Sequence, residues 1–182
     1  MVSSAVTGES FVEVINKEVT MITVLRVDDR LLHGQVAVAW VSYYKADVIL
    51  IANNQVIADA TMQTAFRLAA PAGVTLSMKS LDGAVNVINN PKHAARKILV
   101  ITKTMRDAEY VIGKTADAVK SVLLGGLRSG KGKKQIDMNS YMDDDDIAVM
   151  DRLCRDGRDV FMQADPTSRR LTAEEIHRNY RK

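Results

Sequence analysis

Five short apolar runs, Ile22–Val27, Val48–Ile51, Val74–Ser77, Ile98–Ile101 and Ser121–Leu124, are each bounded by polar, Gly or Pro residues. They alternate with segments in which apolar residues recur three and four apart: Gln35–Tyr44, Asp59–Ala69, Leu81–Ile88 and Met105–Lys114. The runs predict buried strands and the segments between them core-facing helices. Strand following helix in this way implies an α/β fold, doubly wound, with a mostly parallel central sheet and helices on both faces. Farther on, Asp143–Asp156 predicts a helix whose acidic start suits the positive end of the helix dipole, with Gly157 as its stop. A strand over Asp159–Gln163 follows, and Thr172 with Glu175 three residues later forms a capping box that opens a terminal helix.

No repeat, low-complexity tract or linker divides residues 21–182, which read as one domain. Residues 1–20 lack a basic start and a continuous apolar segment, so they do not resemble a secretory signal. They read instead as an N-terminal extension ahead of an original start at Met21. The longest uninterrupted apolar run, Val36–Val41, is far short of the ~20 residues that span a bilayer. A single cysteine, Cys154, leaves no internal disulfide and no cysteine metal cluster, which suits a cytoplasmic location, and it reads as core filler beside Leu153. The net charge of +3 is small and scattered, so nothing argues for nucleic acid as a partner.

In a doubly wound sheet, ligands bind beyond the carboxyl ends of the strands. Two such segments stand out, Asp28–Gly34 and Gly125–Lys134. His33 falls at a strand-to-helix turn, where free N–H groups and the helix dipole favour an anion, and a phosphoryl group on an imidazole suits that place. Gly34 lets the backbone approach closely, Gln35 opens the helix, and Arg30 offers a fork of donors to phosphate oxygens. Asp28 or Asp29 would orient the imidazole and leave the other nitrogen free to attack phosphorus. The competing possibility is a helix-capping or partly buried histidine among charges that pair with one another.

Gly125–Gly132 is one residue from a Walker A loop, but Gly132 stands where the metal-binding hydroxyl belongs, and Lys133–Met138 alternates like an edge strand where a helix is needed. Two alternatives remain for this loop. In one, Gly125 and Gly126 give backbone donors to phosphate while Arg128, Lys131 and Lys133 form a basic rim; in the other, it is simply a solvated loop. Asn53 and Asn54 read as turn residues, and His93 and His177 as surface residues with no metal-ligand spacing around them.

The string Val27-Asp-Asp-Arg-Leu-Leu-His33-Gly-Gln-Val36 closely resembles the active-site segment of IIB proteins of the mannose/fructose/sorbose phosphotransferase family, which reads Ile or Val, then Asp-Asp-Arg-Leu-Ile-His-Gly-Gln-Val. Trp40, the Ala-Pro-Ala-Gly-Val of Ala70–Val74, the Asn-Asn-Pro-Lys of Asn89–Lys92 and Gly125-Gly126 look like further family features in family order. The resemblance runs from about Met21 to the C-terminus. It implies a relay in which His33 accepts a phosphoryl group from a phosphorylated IIA protein and passes it to a sugar delivered by the membrane subunits IIC and IID. Arg30 and the loop backbone would hold the phosphate, no cofactor or metal is called for, and the protein would sit in the cytoplasm beside the transporter. A homo-oligomer is compatible with this, and the sugar, whether mannose, fructose, sorbose or N-acetylgalactosamine, is left open. A different class of function also fits the same loop: a non-enzymatic module that binds a phosphorylated ligand without accepting the phosphate.

Overall fold

The computed structural model describes residues 21–182; the proposed extension, residues 1–20, lies outside them. The elements alternate as the periodicity implies. They are β1 (Met21–Val27), α1 (Gly34–Tyr44), β2 (Val48–Ala52), α2 (Asn54–Ala58), α3 (Ala60–Ala69), β3 (Thr75–Lys79), α4 (Leu81–Asn89), β4 (Lys97–Thr102), α5 (Met105–Gly113) and β5 (Ser121–Leu124). A two-stranded ribbon of β6 (Lys134–Gln135) and β7 (Tyr141–Met142) comes next, and α6 (Asp144–Arg155), β8 (Asp159–Met162), β9 (Leu171–Thr172) and α7 (Ala173–Tyr180) complete the chain.

Seven strands form one sheet in the order β3-β2-β4-β1-β5-β8-β9, with every pairing parallel except β8 with β9. Side chains alternate between the two faces, because a strand has a period of two. Val24, Ile49, Ile51, Leu99, Ile101, Leu123 and Phe161 pack with Trp40 of α1 and Phe66 of α3 on one face. Leu25, Val27, Leu50, Val100, Val122, Leu124 and Val160 pack with Ala84, Ala108, Met150 and Ile176 of α4 to α7 on the other. The sheet is therefore covered on both sides. Cys154 packs at the margin of the second cluster, and burial pushes its thiol pKa up.

Differences from the sequence expectation lie where burial is incomplete or turns are tight. Residues 54–58 form a short helix that the apolar pattern does not announce, capped by Asn53, whose side chain accepts from the Val56 N–H. β3 is an edge strand displaced toward Lys79, since its pairing with β2 runs from Val48 opposite Thr75 to Ala52 opposite Lys79. The alternation in Lys133–Met138 yields only two strand residues, and they pair with β7 outside the main sheet.

Candidate functional site

The connections leaving β1 and β5, adjacent parallel strands, run to helices on opposite faces of the sheet, α1 and α6. A crevice therefore opens at their carboxyl ends, the position where such sheets bind ligands. The loops beyond the two strands are tied together there. Gly125 N–H donates to the Val27 carbonyl at 2.8 Å, Asp29 N–H to the Gly126 carbonyl at 3.0 Å, and Asp28 N–H to the Thr102 carbonyl of β4 at 3.0 Å.

Asp28 is fully buried at the centre of this junction. Arg26 Nη2 donates to its Oδ2 at 2.8 Å, the Gly126 N–H approaches the same oxygen at 3.3 Å, and the Arg30 N–H donates to Oδ1 at 3.1 Å. Arg26 and Asp28 share a face of β1 because they are two residues apart. Arg26 is itself only 4% exposed, and its guanidinium lies 5.7 Å from the centre of the buried Trp40 ring, a cation–π arrangement. Burial lowers the Arg26 pKa, and the Asp28 carboxylate opposes that shift. The sequence pattern singled out neither this arginine nor its pairing, although a charged residue inside an apolar strand two positions before an aspartate is the signal to look for.

A turn closes after Asp28, with the Leu31 N–H donating to the Asp28 carbonyl at 3.0 Å. Leu31 then takes φ = +57°, a left-handed conformation that a side chain such as leucine rarely adopts and that costs on the order of 1–3 kcal/mol. Its buried side chain anchors in the Trp40 cluster and holds it there. Beyond it, His33 is the extended residue that opens α1. Its Nδ1 lies 3.3 Å from the Leu31 carbonyl oxygen and 3.9 Å from Asp28 Oδ1. Its Nε2 is enclosed and has no hydrogen-bond partner among the described residues.

Other helices of this chain begin under a side-chain cap: Asn53, Asp59, Ser80, Thr104, Asp143 and Thr172 each accept from a backbone N–H of the first turn. His33 gives α1 no such cap, so the first-turn N–H groups of α1 have no competing side chain from that residue. Gly34 enters the helix with φ = +40°, a conformation glycine tolerates, and Gln35 follows in the first turn. Arg30 is half-exposed, its Nε 3.9 Å from Asp28 Oδ1, and its guanidinium rests against Gly126.

Asp28, Arg30, His33, Gly34, Gly125 and Gly126 are thus brought to one place. Asp29 turns away: its Oδ2 accepts from both the backbone N–H and the Nε of Arg128, each at 2.8 Å. Of the two aspartates weighed as the orienting group for the imidazole, Asp28 is the one near it. The basic rim is partly spoken for, since Arg128 is held by Asp29 and Lys133 reaches Asp146 at 2.6 Å, while Lys131 stays exposed. No helix follows Lys131; Gly132 has φ = +81° and the chain enters β6. Asn53 and Asn54 serve the backbone, Asn54 by accepting from the Leu81 N–H. His177, read as a surface residue, is half-buried and bonded to Asp151 at 2.6 Å.

The family model for the sorbose subfamily IIB component of the phosphotransferase system matches residues 22–181. The chain belongs to that family. Among its relatives, the sorbose-specific EIIB component of Lacticaseibacillus casei is 33% identical over 133 residues, which are 73% of this chain and 80% of the relative. The N-acetylgalactosamine-specific IIB component 2 of Escherichia coli strain K12 is 33% identical over 148 residues, 80% of this chain and 92% of the relative. The mannose-specific EIIAB component of the same strain is 31% identical over 133 residues, but these make up only 41% of that longer protein. The crystal structure of the IIBSor domain of the sorbose permease from Klebsiella pneumoniae has a TM-score of 0.82 at 28% identity, with 87% of this chain and 97% of that one covered. As a IIB component the protein is a phosphotransferase of a sugar phosphotransferase system. Among its described residues, no helix is long and apolar enough to cross a membrane.

Proposed function

We propose that His33 is the residue that carries the phosphoryl group, taking it from a phosphorylated IIA protein and giving it to a sugar as the membrane subunits IIC and IID deliver that sugar. The observation that carries this proposal is the placement of His33: it opens an otherwise uncapped helix in the crevice between β1 and β5, with the Asp28 carboxylate on one side and Arg30 in the same turn. In the first transfer an imidazole nitrogen of His33 attacks phosphorus, a P–N bond forms, and the P–N bond to the donor breaks. In the second a sugar hydroxyl oxygen attacks, a P–O bond forms, the P–N bond to His33 breaks, and the hydroxyl proton is released. Charge on the transferring phosphoryl oxygens is offset by the Arg30 guanidinium and by backbone N–H groups at the start of α1. The Leu31 carbonyl oxygen, 3.3 Å from Nδ1, orients the ring, and the Asp28 carboxylate, itself fixed by Arg26, stands 3.9 Å from the same nitrogen and offsets charge that develops there. The existence of a relative whose name joins A and B units supports a IIA protein as the donor, and residues 21–182 are proposed as the transferring domain, located in the cytoplasm beside the transporter.

Mass spectrometry after incubation with a phosphorylated IIA donor tests this. An acid-labile, base-stable phosphate located on His33 is expected, and none on a folded His33→Ala variant. Binding of the donor without transfer would instead favour a phospho-ligand module.

A further inference from the structure

Ser140 stands just before β7 and is buried although it is polar. Its hydroxyl donates to the Gly125 carbonyl at 2.8 Å. Its own carbonyl accepts the Ile136 N–H at 2.9 Å, and the next residue, Tyr141, donates its N–H to the Leu127 carbonyl at 2.7 Å. The β6–β7 ribbon, with two residues in each strand, therefore grips the loop after β5 where that loop passes the buried Asp28.

The bond to Gly125 gains its meaning from the other end of the same peptide group. The Gly125 carbonyl and the Gly126 N–H belong to one planar trans peptide and point in opposite directions. Ser140 holds the carbonyl, and the N–H approaches Asp28 Oδ2 at 3.3 Å. Hydroxyl, peptide and carboxylate thus form one chain of hydrogen bonds in which each bond polarises the next. The flanking peptides are fixed by backbone partners, the Gly125 N–H by the Val27 carbonyl and the Gly126 carbonyl by the Asp29 N–H. The peptide between them has a side chain at each end instead. Turning it over is cheap in a Gly-Gly pair, because glycine accepts φ of either sign. A carbonyl oxygen would then face the Asp28 carboxylate where an N–H now stands.

We propose that Ser140 is a positioning residue for phosphoryl transfer: it locks the Gly125–Gly126 peptide with its N–H on Asp28, and so holds the Asp28 carboxylate 3.9 Å from His33 Nδ1. This rests on the phosphotransfer role proposed above. Ser140 is too enclosed to touch the donor or the sugar. Its effect reaches the site through Asp28 and through Gly126, against which the Arg30 guanidinium rests, so it governs the rate of transfer and not the capture of the donor.

Ser140→Ala in the whole chain is the test, read by single-turnover transfer from a phosphorylated IIA protein and by the Gly126 amide in NMR. Loss of the hydroxyl should lower the limiting transfer rate roughly five- to tenfold, the worth of one hydrogen bond, at an unchanged half-saturating donor concentration. The Gly126 amide should move upfield and lose protection against hydrogen exchange. An unchanged limiting rate, or a loss expressed wholly as weaker donor binding, overturns the proposal. In the unaltered protein the Gly126 amide should exchange far more slowly than that of the exposed Gly130; equal exchange refutes the locked peptide without recourse to any variant. Phosphate located on His33 of the unaltered protein by mass spectrometry reports separately on the phosphotransfer role, so a labelled His33 with an undiminished rate in Ser140→Ala removes the positioning role alone.

Discussion

Gly125 lies against the Arg26 guanidinium so closely that a Cβ on it would overlap Arg26 Nη2 and come 2.8 Å from Asp28 Oδ2. Neither neighbour can retreat, because both are buried and bonded to each other, with Trp40 behind the arginine. Gly125→Ala is therefore expected to force the ion pair apart and to destabilise the fold by about 1–3 kcal/mol, as overpacking does. Gly130→Ala, whose Cβ would meet only Lys133 Cδ at 3.8 Å, is the control and should be close to neutral. Urea unfolding of the two variants decides this; equal midpoints would show that the Arg26–Asp28 pair yields to a methyl group.

The two adjacent aspartates should behave very differently. Asp28→Ala leaves the Arg26 cation buried without its partner, a change that costs about 3–5 kcal/mol. Asp29→Ala removes a pair with the Arg128 side chain, which is 68% exposed, worth about 0–1 kcal/mol, and an acceptor for the exposed Arg128 N–H that water can replace. Denaturant midpoints measured side by side check the contrast, and similar losses for both would contradict the burial of Asp28.

What could be read from sequence follows from which interactions are local. Strand positions such as Val48–Ile51 and Ile98–Ile101 were legible because full burial on both faces demands unbroken apolar runs. The helix start at Thr172 was legible because its capping box lies within four residues, and the one at Asp143 because its run of acids suits the positive end of the dipole; that Asp143 also closes a capping box with Asp146 emerged only in the structure. The contact of Gly126 with Asp28 was not, for it joins positions 98 residues apart in the chain. Nor was the left-handed Leu31, since leucine carries no turn signature; the buried Trp40 cluster imposes that conformation. The split fates of Asp28 and Asp29 depend on the period of a strand that ends just before them, at Val27, and sequence alone left the choice open.

Arg30 and Arg128 separate contact from long-range attraction. Arg30 is in the His33 turn and faces Gly126, whereas Arg128 is turned toward Asp29, which raises its pKa through their hydrogen bond. Arg30→Ala should slow phosphoryl transfer by about 10²–10³-fold, the scale for losing a donor to a transferring group. Arg128→Ala should cost far less, and its effect should fade with added salt, since exposed charges are screened over about 10 Å at 0.1 M. Quenched-flow transfer rates at two ionic strengths give the answer. A stronger salt dependence for Arg30→Ala than for Arg128→Ala would reverse the assignment.

Mg·ATP is expected not to bind at millimolar nucleotide, although Gly125–Gly132 comes within one residue of a Walker A loop. Such a loop works by aiming the N–H groups of the helix after its lysine at the phosphates, with a hydroxyl beside the metal. Here Lys131 is followed by Gly132 at φ = +81° and then by β6, so no helix dipole is available. The Gly125 N–H is already committed to the Val27 carbonyl, and the Gly126 N–H faces Asp28 Oδ2, which leaves the loop's leading amides directed inward. A phosphate placed there would also confront the buried Asp28 carboxylate. Calorimetric titration with Mg·ATP is the direct measurement. Saturable heat that disappears in Lys131→Ala would mean that the loop refolds around nucleotide and that the protein is a nucleotide-binding enzyme as well as a phosphohistidine carrier.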